Sequence, residues 1–363
     1  MCRFRVYLTV QTLRRVFAVS AALVAGFCFS AASWAFSGVA GWVYNAQYPI
    51  SSSIAAADGL ILAGDNTGNL HAIYAASGQA AWVYKGAYTI VGRPVVLKNE
   101  QGSRVFFAQA DGTITALSAA NGTELWRHSP AEGAADTVVD GVAVGDGKVF
   151  FVKGDGKMTA LSLENGTVLW SHDSGQELRS APIFSDGTVY LGGQNGVFSA
   201  VNPANGNRLW GGGAGGAINS PAVAVGDVYF SSWDGSVQRV RSNGVVPQGK
   251  GGAGEPVTTP PVVGSDRVFV GTASWKLVAL SKGNGSVSWS FDTQGGAISG
   301  APVLADGLLF VGGGQGTLFI LDPSNGAARF TFQTESGGIN GTPAFANGVL
   351  FLGGADGRVY ALR

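Results

Sequence analysis

The segment Ala160-Leu161-Ser162-Leu163-Glu164-Asn165-Gly166-Thr167-Val168-Leu169-Trp170 carries the pattern that decides the fold: an alanine, a glycine six residues later, and a tryptophan four residues after that. The same spacing recurs as Ala72-Gly78-Trp82, Ala116-Gly122-Trp126, Ala200-Gly206-Trp210 and Ala279-Gly285-Trp289. Two weaker copies keep part of the pattern, namely Ile320-Gly326-Phe330 and Val240-Gly244-Gln248. A motif that recurs at a nearly fixed interval indicates a chain built from similar structural units.

The tryptophan position of the motif occurs eight times, at residues 42, 82, 126, 170, 210, 248, 289 and 330. The last copy of the motif breaks off at Ala361-Leu362-Arg363, so Trp42 near the other end supplies its missing tryptophan. Eight units sharing residues 36–363 have about 41 residues each. This arithmetic leaves no room for a second domain.

Each unit divides into four short strands, as the fourth unit illustrates. Apolar runs alternate with Asp-Gly and Asn-Gly pairs, which favour tight hairpins because both central turn residues need positive φ. The predicted strands are residues 180–184, 188–192, 197–201 and a last strand that begins at Arg208. Four strands in a unit of about 40 residues are typical of a β-propeller. We therefore predict an all-β, eight-bladed propeller of four-stranded antiparallel blades.

The two ends of the repeat region predict how the ring closes. Residues 341–363 supply three strands of the eighth blade, and Gly41-Trp42-Val43-Tyr44 supplies its outer strand. This pairing removes sheet edges that would otherwise be open to other chains. We interpret the repeated tryptophans as packing between blades, because their large apolar surfaces recur in one phase. Stacking on a sugar or a cofactor is the alternative.

Residues 1–35 differ in composition from the repeats and predict a secretory signal peptide. Four arginines precede an uncharged apolar stretch at residues 16–29, and Ser33-Trp34-Ala35 offers small residues for cleavage after Ala35. An uncleaved membrane anchor and lipidation of Cys28 are the alternatives, although Phe27 stands where a lipidation signal has a small residue. Cys2 and Cys28 both lie in this segment, so the predicted mature chain, residues 36–363, contains no cysteine.

The charge balance excludes one class of partner. The chain has 23 basic and 23 acidic residues, giving a formal net charge of zero. Nucleic-acid binders need a basic surface that displaces counterions. We therefore expect no nucleic-acid partner, and we expect a periplasmic or secreted protein whose association with a membrane, if any, is indirect.

The motif resembles the tryptophan-docking motif of the pyrroloquinoline quinone-like (PQQ-like) propeller family over essentially all of residues 42–363. One branch of that family comprises quinoprotein dehydrogenases. Resemblance to this branch would imply an active site with a calcium ion, a catalytic aspartate and usually a disulfide between adjacent cysteines. The predicted mature chain has no cysteine, and its units have no long inserted loops. We expect no catalytic residue, no metal site and no cofactor. His128 and His172 fall in different units, so they do not predict a shared metal site.

The other branch is the non-catalytic BamB family of the outer-membrane β-barrel assembly machinery. The local similarity is strongest at Glu177-Leu178-Arg179-Ser180-Ala181-Pro182 and Gly192-Gly193-Gln194-Asn195-Gly196. In that family a Leu-Arg loop and an acidic residue in the following turn contact the barrel-forming partner. The resemblance therefore implies partner contacts at Glu177, Leu178, Arg179 and Gln194, with Gln194 standing where an acidic residue is expected.

Two tryptophans break the repeat and complete the set of candidate binding residues. Trp233 precedes the Asp234-Gly235 turn, and Trp275 replaces a turn glycine in the next unit. Exposed aromatic residues favour contact with a protein or ligand, whereas the alternative is that they fill a fifth blade that lacks its docking tryptophan. We expect a monomeric, non-enzymatic scaffold that binds an envelope protein, and the leading specific version of this role is a contact with a component of outer-membrane β-barrel assembly. A PQQ-dependent oxidoreductase and a small-ligand or glycan binder are the alternatives.

Overall fold

The computed structural model describes residues 38–100, 102–130, 138, 140–178, 180–224, 226–241, 250–294 and 296–363. Their regular elements are all strands, which form eight four-stranded sheets with antiparallel pairing. The predicted all-β, eight-bladed propeller is confirmed. Within these ranges no helix is long and apolar enough to cross a membrane. The proposed signal peptide, residues 1–35, lies outside the described residues and stays a prediction.

The strands follow the same order in each blade, from the first strand near the ring centre to the fourth at the periphery. The first strands are β2 (Ala55–Ala57), β6 (Ile90–Asn99), β10 (Ala143–Gly145), β14 (Ile183–Ser185), β18 (Ile218–Ala224), β22 (Val262–Val263), β26 (Val303–Ala305) and β30 (Ala344–Ala346). The second strands are β3 (Leu60–Gly64), β7 (Gly102–Gln109), β11 (Lys148–Val152), β15 (Thr188–Gly192), β19 (Asp227–Ser232), β23 (Arg267–Gly271), β27 (Leu308–Gly312) and β31 (Val349–Gly353).

The outer half of each blade completes the sheet. The third strands are β4 (Leu70–Tyr74), β8 (Ile114–Ser118), β12 (Lys157–Ser162), β16 (Val197–Val201), β20 (Ser236–Arg241), β24 (Lys276–Ser281), β28 (Thr317–Leu321) and β32 (Arg358–Leu362). The fourth strands are β5 (Ala80–Tyr84), β9 (Glu124–His128), β13 (Val168–Asp173), β17 (Arg208–Gly213), β21 (Lys250–Gly252), β25 (Val287–Asp292), β29 (Ala328–Gln333) and β1 (Ala40–Asn45). First strands of neighbouring blades contact one another, which arranges the sheets radially.

The fourth blade shows that the turns determine where the second and third strands begin. Its second and third strands have the bounds expected from the sequence, because each begins directly after an Asp-Gly or Asn-Gly turn. Its first strand begins at Ile183 rather than at Ser180. Pro182 has no N–H to donate to the ladder, so regular pairing starts after it.

The docking tryptophans join neighbouring blades through one repeated contact. At five junctions of the described residues, the indole lies on the motif glycine of the next blade, and its Nε1–H donates to the carbonyl three residues before that glycine. These hydrogen bonds are Trp42 to Ala75 at 2.9 Å, Trp82 to Ala119 at 2.8 Å, Trp126 to Leu163 at 3.0 Å, Trp170 to Pro203 at 3.0 Å and Trp289 to Pro323 at 3.1 Å. The predicted packing between blades is confirmed.

The glycine of the motif is required by both its conformation and its contact. Gly166 has φ of 71°, a left-handed value that favours glycine. A Cβ atom added there would lie 2.5 Å from Cε3 of Trp126. Any side chain at this position would therefore displace the indole, which explains why glycine and tryptophan recur together.

The ring closes through the two ends of the repeat region, as predicted. Strand β1 pairs antiparallel with β32, with Val43 opposite Tyr360 and Asn45 opposite Arg358. Beyond the strands, the backbone N–H of Arg363 donates to the carbonyl of Val39 at 3.0 Å. The eighth blade is thus assembled from both ends of the propeller.

A chain of hydrogen-bonded polar side chains links the closing strand β1 to the first blade. The Tyr44 hydroxyl lies 3.1 Å from Nδ1 of His71, and Nε2 of His71 lies 3.2 Å from a carboxylate oxygen of Asp65. Burial alone would raise the pKa of Asp65, but hydrogen bonds led by those from Asn69 outweigh it and hold the pKa below its usual value. The closing strand is therefore held by polar as well as apolar contacts.

Tyr360 on β32 makes the closed ring sensitive to alkaline pH. Burial, together with the neighbouring Asp356 carboxylate that accepts its hydroxyl hydrogen bond, raises the pKa of Tyr360 to about 12. An unfolded tyrosine ionises near pH 10, so the unfolded state loses this proton first. We expect the free energy of unfolding to fall as the pH rises from about 10 to about 12. Denaturant titrations at several pH values measure how steeply the free energy of unfolding falls with pH, and this dependence should be shallower in Tyr360→Phe. An unchanged pH dependence in the variant would contradict the assignment to Tyr360.

Candidate partner-binding surface

One face of the ring, which we call the loop face, carries the turns between second and third strands and the connections between blades. On this face a backbone N–H of the turn donates to a carbonyl of the preceding connection in seven blades of the described residues. The bonds from Gln194 to Glu177, from Trp233 to Ala217 and from Ala273 to Pro256 are each 2.9 Å long. The repeated bond shows that Gln194 and Trp233 hold equivalent positions in the fourth and fifth blades.

The structure places the candidate residues of the fourth blade in different environments. Glu177 is exposed and Gln194 is half-buried beside it. Leu178 has no exposed surface and packs in the core between the third and fourth blades. Its backbone pairs with Gly193 in an isolated antiparallel bridge, so its side chain points away from any partner on this face. Arg179 lies outside the described residues, and its proposed contact stays a prediction.

Trp233 and Trp275 are the largest exposed apolar side chains in the turns of the loop face. Their exposed fractions are 49% and 47%, and they lie on the neighbouring fifth and sixth blades. No ring contact joins them to another described aromatic side chain. They therefore do not fill the interior of the fifth blade, and they offer two separate aromatic surfaces to solvent.

Trp275 is held in a backbone conformation that tryptophan disfavours. Its φ is 61°, in the left-handed region, and it occupies the turn position that Gly196 and Gly235 hold in the two preceding blades. The conformation is fixed by neighbouring contacts, because the Trp275 carbonyl accepts hydrogen bonds from the backbone and hydroxyl of Thr293. Strain of this kind concentrates at functional positions.

Replacing Trp275 with glycine is expected to raise the free energy of unfolding by about 1 kcal/mol, because the left-handed penalty is removed. Urea denaturation of the two proteins measures this difference. Trp233→Gly is the matched control, since Trp233 is also exposed but does not have positive φ. A gain of equal size in the control, or a loss in Trp275→Gly, would show that the turn is not strained.

Charged groups lie between the two tryptophan turns. Lys276 Nζ is 3.1 Å from a carboxylate oxygen of Glu255, which links the connection after the fifth blade to the sixth blade. A hydrogen bond from Ser274, with a smaller contribution from Lys276, holds the pKa of Glu255 below its usual value although burial opposes it. Asp234 accepts the backbone N–H of Gly215 at 2.7 Å. The surface is therefore aromatic with an ordered polar border.

Two exposed aromatic residues of the loop face are not identified from the sequence. Tyr48 and Tyr88 lie in the connections that lead into the first and second blades, with exposed fractions of 47% and 54%. They pack beside the turn glycines Gly357 and Gly68. The repeat motif gives no signal for them, because the connections vary in sequence from blade to blade. An alignment of the eight connections would have shown tyrosine at the same place in both.

The centre of the ring encloses a second candidate site. A cavity of about 630 Å³, open to solvent, is bounded by first strands of five blades, and Arg93 is the only charged side chain among its described lining residues. The Arg93 guanidinium donates to the carbonyl of Pro343 at 3.2 Å, and burial lowers its pKa. This cavity is the feature that best suits a small anionic ligand.

The side chains that could ligate a metal ion are dispersed over the described residues. Among them, no three His, Cys, Asp or Glu side chains are grouped so that they could hold a metal ion. His128 and His172 lie on the outer strands β9 and β13 of different blades, as the sequence predicts. His71 belongs to the buried chain with Tyr44 and Asp65.

Comparison with known proteins identifies the family. The family model described as outer membrane protein assembly factor BamB matches residues 31–246 and 276–363. The chain belongs to the BamB family. The unmatched interval contains β21, the outer strand of the fifth blade, which lacks a docking tryptophan. It also contains β22 and β23, the first two strands of the sixth blade. None of the curated proteins matches the sequence.

Solved structures similar to this BamB-family chain share its fold. BamB from Moraxella catarrhalis has a TM-score of 0.77 at 20% identity, and the match covers 90% of this chain and 99% of that chain. The computationally designed protein Ika8 gives a TM-score of 0.74 at 19% identity, covering 88% and 97%. Quinohemoprotein alcohol dehydrogenase from Comamonas testosteroni gives 0.72 at 14% identity, covering 89% and 76%. At these identities the similarity establishes the propeller fold alone.

Proposed function

We propose that this BamB-family propeller is an exported, non-enzymatic scaffold of the bacterial cell envelope. It acts as a monomer in the periplasm and binds a protein of the outer-membrane β-barrel assembly machinery through its loop face. The family match supports this role, because the family is described as an outer membrane protein assembly factor. Membrane association in this proposal is indirect, through the partner.

The strained, exposed Trp275 is the observation that carries the proposal. A turn that uses glycine in neighbouring blades here keeps a bulky aromatic residue at φ of 61° and leaves 47% of it exposed. Aromatic side chains of this kind dominate the energetics of protein interfaces. With Trp233, Glu177 and Gln194 on the same face, the fourth to sixth blades provide the proposed contact surface.

Site-specific photo-crosslinking in the cells that produce the protein tests the proposal. Photoreactive residues at Asn195 and Ala273 sample the loop face without replacing either tryptophan. A photoreactive residue at Asn347, which lies exposed in a turn between first and second strands on the opposite face, is the control. We expect mass spectrometry to find an outer-membrane assembly component at the first two positions and not at the third. Equal products at all three positions, or none, would contradict the proposal.

The same experiment assigns the tryptophans their role. In a chain carrying both Trp233→Ala and Trp275→Ala, the crosslinks from Asn195 and Ala273 are expected to fall by at least about tenfold, since hot-spot truncations each cost about 2 kcal/mol or more. The thermal midpoint of the double variant, measured in parallel, shows that the fold is intact. Undiminished crosslinks would remove the tryptophans from the contact surface.

A small-ligand role is the second candidate, favoured by Arg93, whose positive charge lines the central cavity. In the quinoprotein form of this alternative, calorimetry with pyrroloquinoline quinone and calcium would show stoichiometric binding, followed by dye-linked alcohol oxidation. We expect neither heat of binding nor turnover. Tight binding lost in Arg93→Gln would replace the scaffold proposal with a ligand-binding or enzymatic one.

A further inference from the structure

Nine Asn-Gly pairs occur in the sequence, and the fold holds them in different ways. In such a pair the backbone nitrogen of the glycine can attack the side-chain amide of the asparagine, because glycine has no Cβ that blocks the approach. The pair at residues 243–244 lies outside the described residues. The other eight pairs are Asn121-Gly122, Asn165-Gly166, Asn195-Gly196, Asn205-Gly206, Asn284-Gly285, Asn325-Gly326, Asn340-Gly341 and Asn347-Gly348. The surroundings of each pair decide which of them reacts.

Six of the eight described pairs are each held by two hydrogen bonds. They are the pairs that begin at residues 121, 165, 195, 205, 284 and 325. The side-chain oxygen of the asparagine accepts the backbone N–H two residues later at 2.9–3.1 Å. The backbone N–H of the glycine donates to an earlier carbonyl at 2.8–3.1 Å, as Gly166 does to Ser162. Because the attacking nitrogen and the amide are both engaged, the fold protects these six pairs.

The pair Asn340-Gly341 is restrained by packing instead. Gly341 lies against the connection that leads into the first blade. A Cβ atom added at Gly341 would lie 2.5 Å from the carbonyl oxygen of Ser52 and 2.9 Å from Cα of Ser53. A ring formed through the Gly341 nitrogen would have to displace this backbone, so this pair is protected as well.

The pair Asn347-Gly348 has neither form of protection. It forms the exposed two-residue turn between β30 and β31, with φ of 52° and 75°. Among the described residues, no hydrogen bond engages the Asn347 side chain or the Gly348 N–H. A Cβ atom added at Gly348 would have no atom within 4 Å. The amide, the attacking nitrogen and the space around them are therefore all accessible.

Aspartate is the residue that most blades carry at the first position of this turn. The four aspartates are each followed by glycine and have φ of 46–51°, close to the value of Asn347. They are Asp58, Asp146, Asp186 and Asp306. Replacement of the Asn347 amide by an acid therefore fits the geometry of the turn.

We propose that Asn347-Gly348 is a site of spontaneous deamidation. The Gly348 nitrogen gives its proton to a solvent base and bonds to Cγ of Asn347, and the side-chain nitrogen takes up a proton and leaves as ammonia. One water molecule then opens the cyclic imide. Cleavage of the new bond to Cγ gives aspartate, and cleavage of the original peptide bond gives isoaspartate, whose main chain contains one more methylene. Either product adds a negative charge to the turn.

The two products have different consequences for the eighth blade. Ala346 pairs with Val349 directly across the turn, and a two-residue turn with positive φ at both positions matches the twist of the strands. Aspartate keeps this turn, whereas isoaspartate lengthens its main chain and disturbs the pairing. We therefore expect only the isoaspartate form to have a lower thermal midpoint. The site does not depend on the scaffold role proposed above, since it is defined by the turn alone.

Incubation of the mature protein, residues 36–363, at mildly alkaline pH tests the site. Peptide mass spectrometry follows the conversion of amide to acid at each described pair. We expect Asn347 to convert at least about tenfold faster than Asn165 and Asn195, because those two pairs must first break two hydrogen bonds. The same incubation in guanidinium chloride is expected to convert all three at similar rates. Equal rates in the folded protein, or no conversion at Asn347, would overturn the proposal.

Asn347→Asp is the matched control for the products. It carries one product from the start, so we expect no mass change at position 347 on incubation and a thermal midpoint equal to that of the fresh protein. Chromatography separates the isoaspartate form of the incubated protein, in which the midpoint should be lower. Ammonia release that is undiminished in Asn347→Asp would place the reaction at another residue and contradict the assignment.

Discussion

Removal of residues 36–46 is expected to abolish the cooperative folding of the monomer. This segment contains β1, the outer strand of the eighth blade, and with it Trp42, whose indole docks on Gly78 of the first blade. It also removes Tyr44 from the buried chain with His71 and Asp65. We expect a loss of at least about 5 kcal/mol, which is comparable to the whole stability of an ordinary domain.

Chemical denaturation with size-exclusion chromatography measures this effect. Without β1, the strand β32 becomes an open edge, and open edges pair with other chains. We therefore expect the truncated protein to self-associate and to lose its sharp unfolding transition. A synthetic peptide of residues 36–50 added in trans should restore part of the stability. A truncated protein that stays monomeric with an unchanged denaturation midpoint would show that the ring does not need its closing strand.

Replacement of Trp126 with alanine is expected to lower the free energy of unfolding by about 3–5 kcal/mol, the range for a large aromatic residue deleted from a core. Trp126 is the most deeply buried of the described docking tryptophans, with 7% of its surface exposed. Its indole covers Gly166 and donates to the carbonyl of Leu163 at 3.0 Å. The substitution leaves a cavity between two blades and removes one of the two hydrogen bonds that the Leu163 carbonyl accepts, since Arg104 Nη1 also donates to it at 3.2 Å. Both effects destabilise the fold.

Urea denaturation of the variant gives the loss directly, and Trp233→Ala is the matched control. Trp233 is the same residue type on the same scaffold, but 49% of it is exposed and it docks on no motif glycine. We expect the control to change the free energy of unfolding by less than about 1 kcal/mol. Losses of similar size in the two variants would mean that docking between blades is not what distinguishes the repeated tryptophans.

The sequence predicts the architecture well because the contact between blades requires both a glycine and a tryptophan at fixed positions. The glycine is needed for its left-handed backbone and for the indole above it, so Gly166 and Trp126 remain recognisable in their spacing even where other positions vary. The Asp-Gly and Asn-Gly turns then fix the second and third strands. The first strands are less certain, as Ile183 shows, because proline at the preceding position delays pairing in a way that apolar patterning does not reveal.

The candidate surface is harder to predict because exposure is a property of three dimensions. Leu178 looks like a loop residue available to a partner, yet its position beside Gly193 makes it part of a core. Trp275 could be identified, since a tryptophan at a glycine position of a repeat breaks a visible rule. Tyr48 and Tyr88 break no rule, so only the folded ring reveals that they share the loop face with Trp233.

The pairing of Asn45 with Arg358 offers the most direct test of the closed eight-bladed ring. Residues 36–363 contain no cysteine, so Asn45→Cys with Arg358→Cys introduces a single pair at directly opposite positions of β1 and β32. Opposed positions of this kind meet the separation that a disulfide requires. Under mild oxidation we expect a monomer in which one disulfide joins the peptides containing positions 45 and 358, whereas Asn45→Cys with Asn347→Cys should keep free thiols. Free thiols in the first pair, or links formed only between two molecules, would contradict the closed ring.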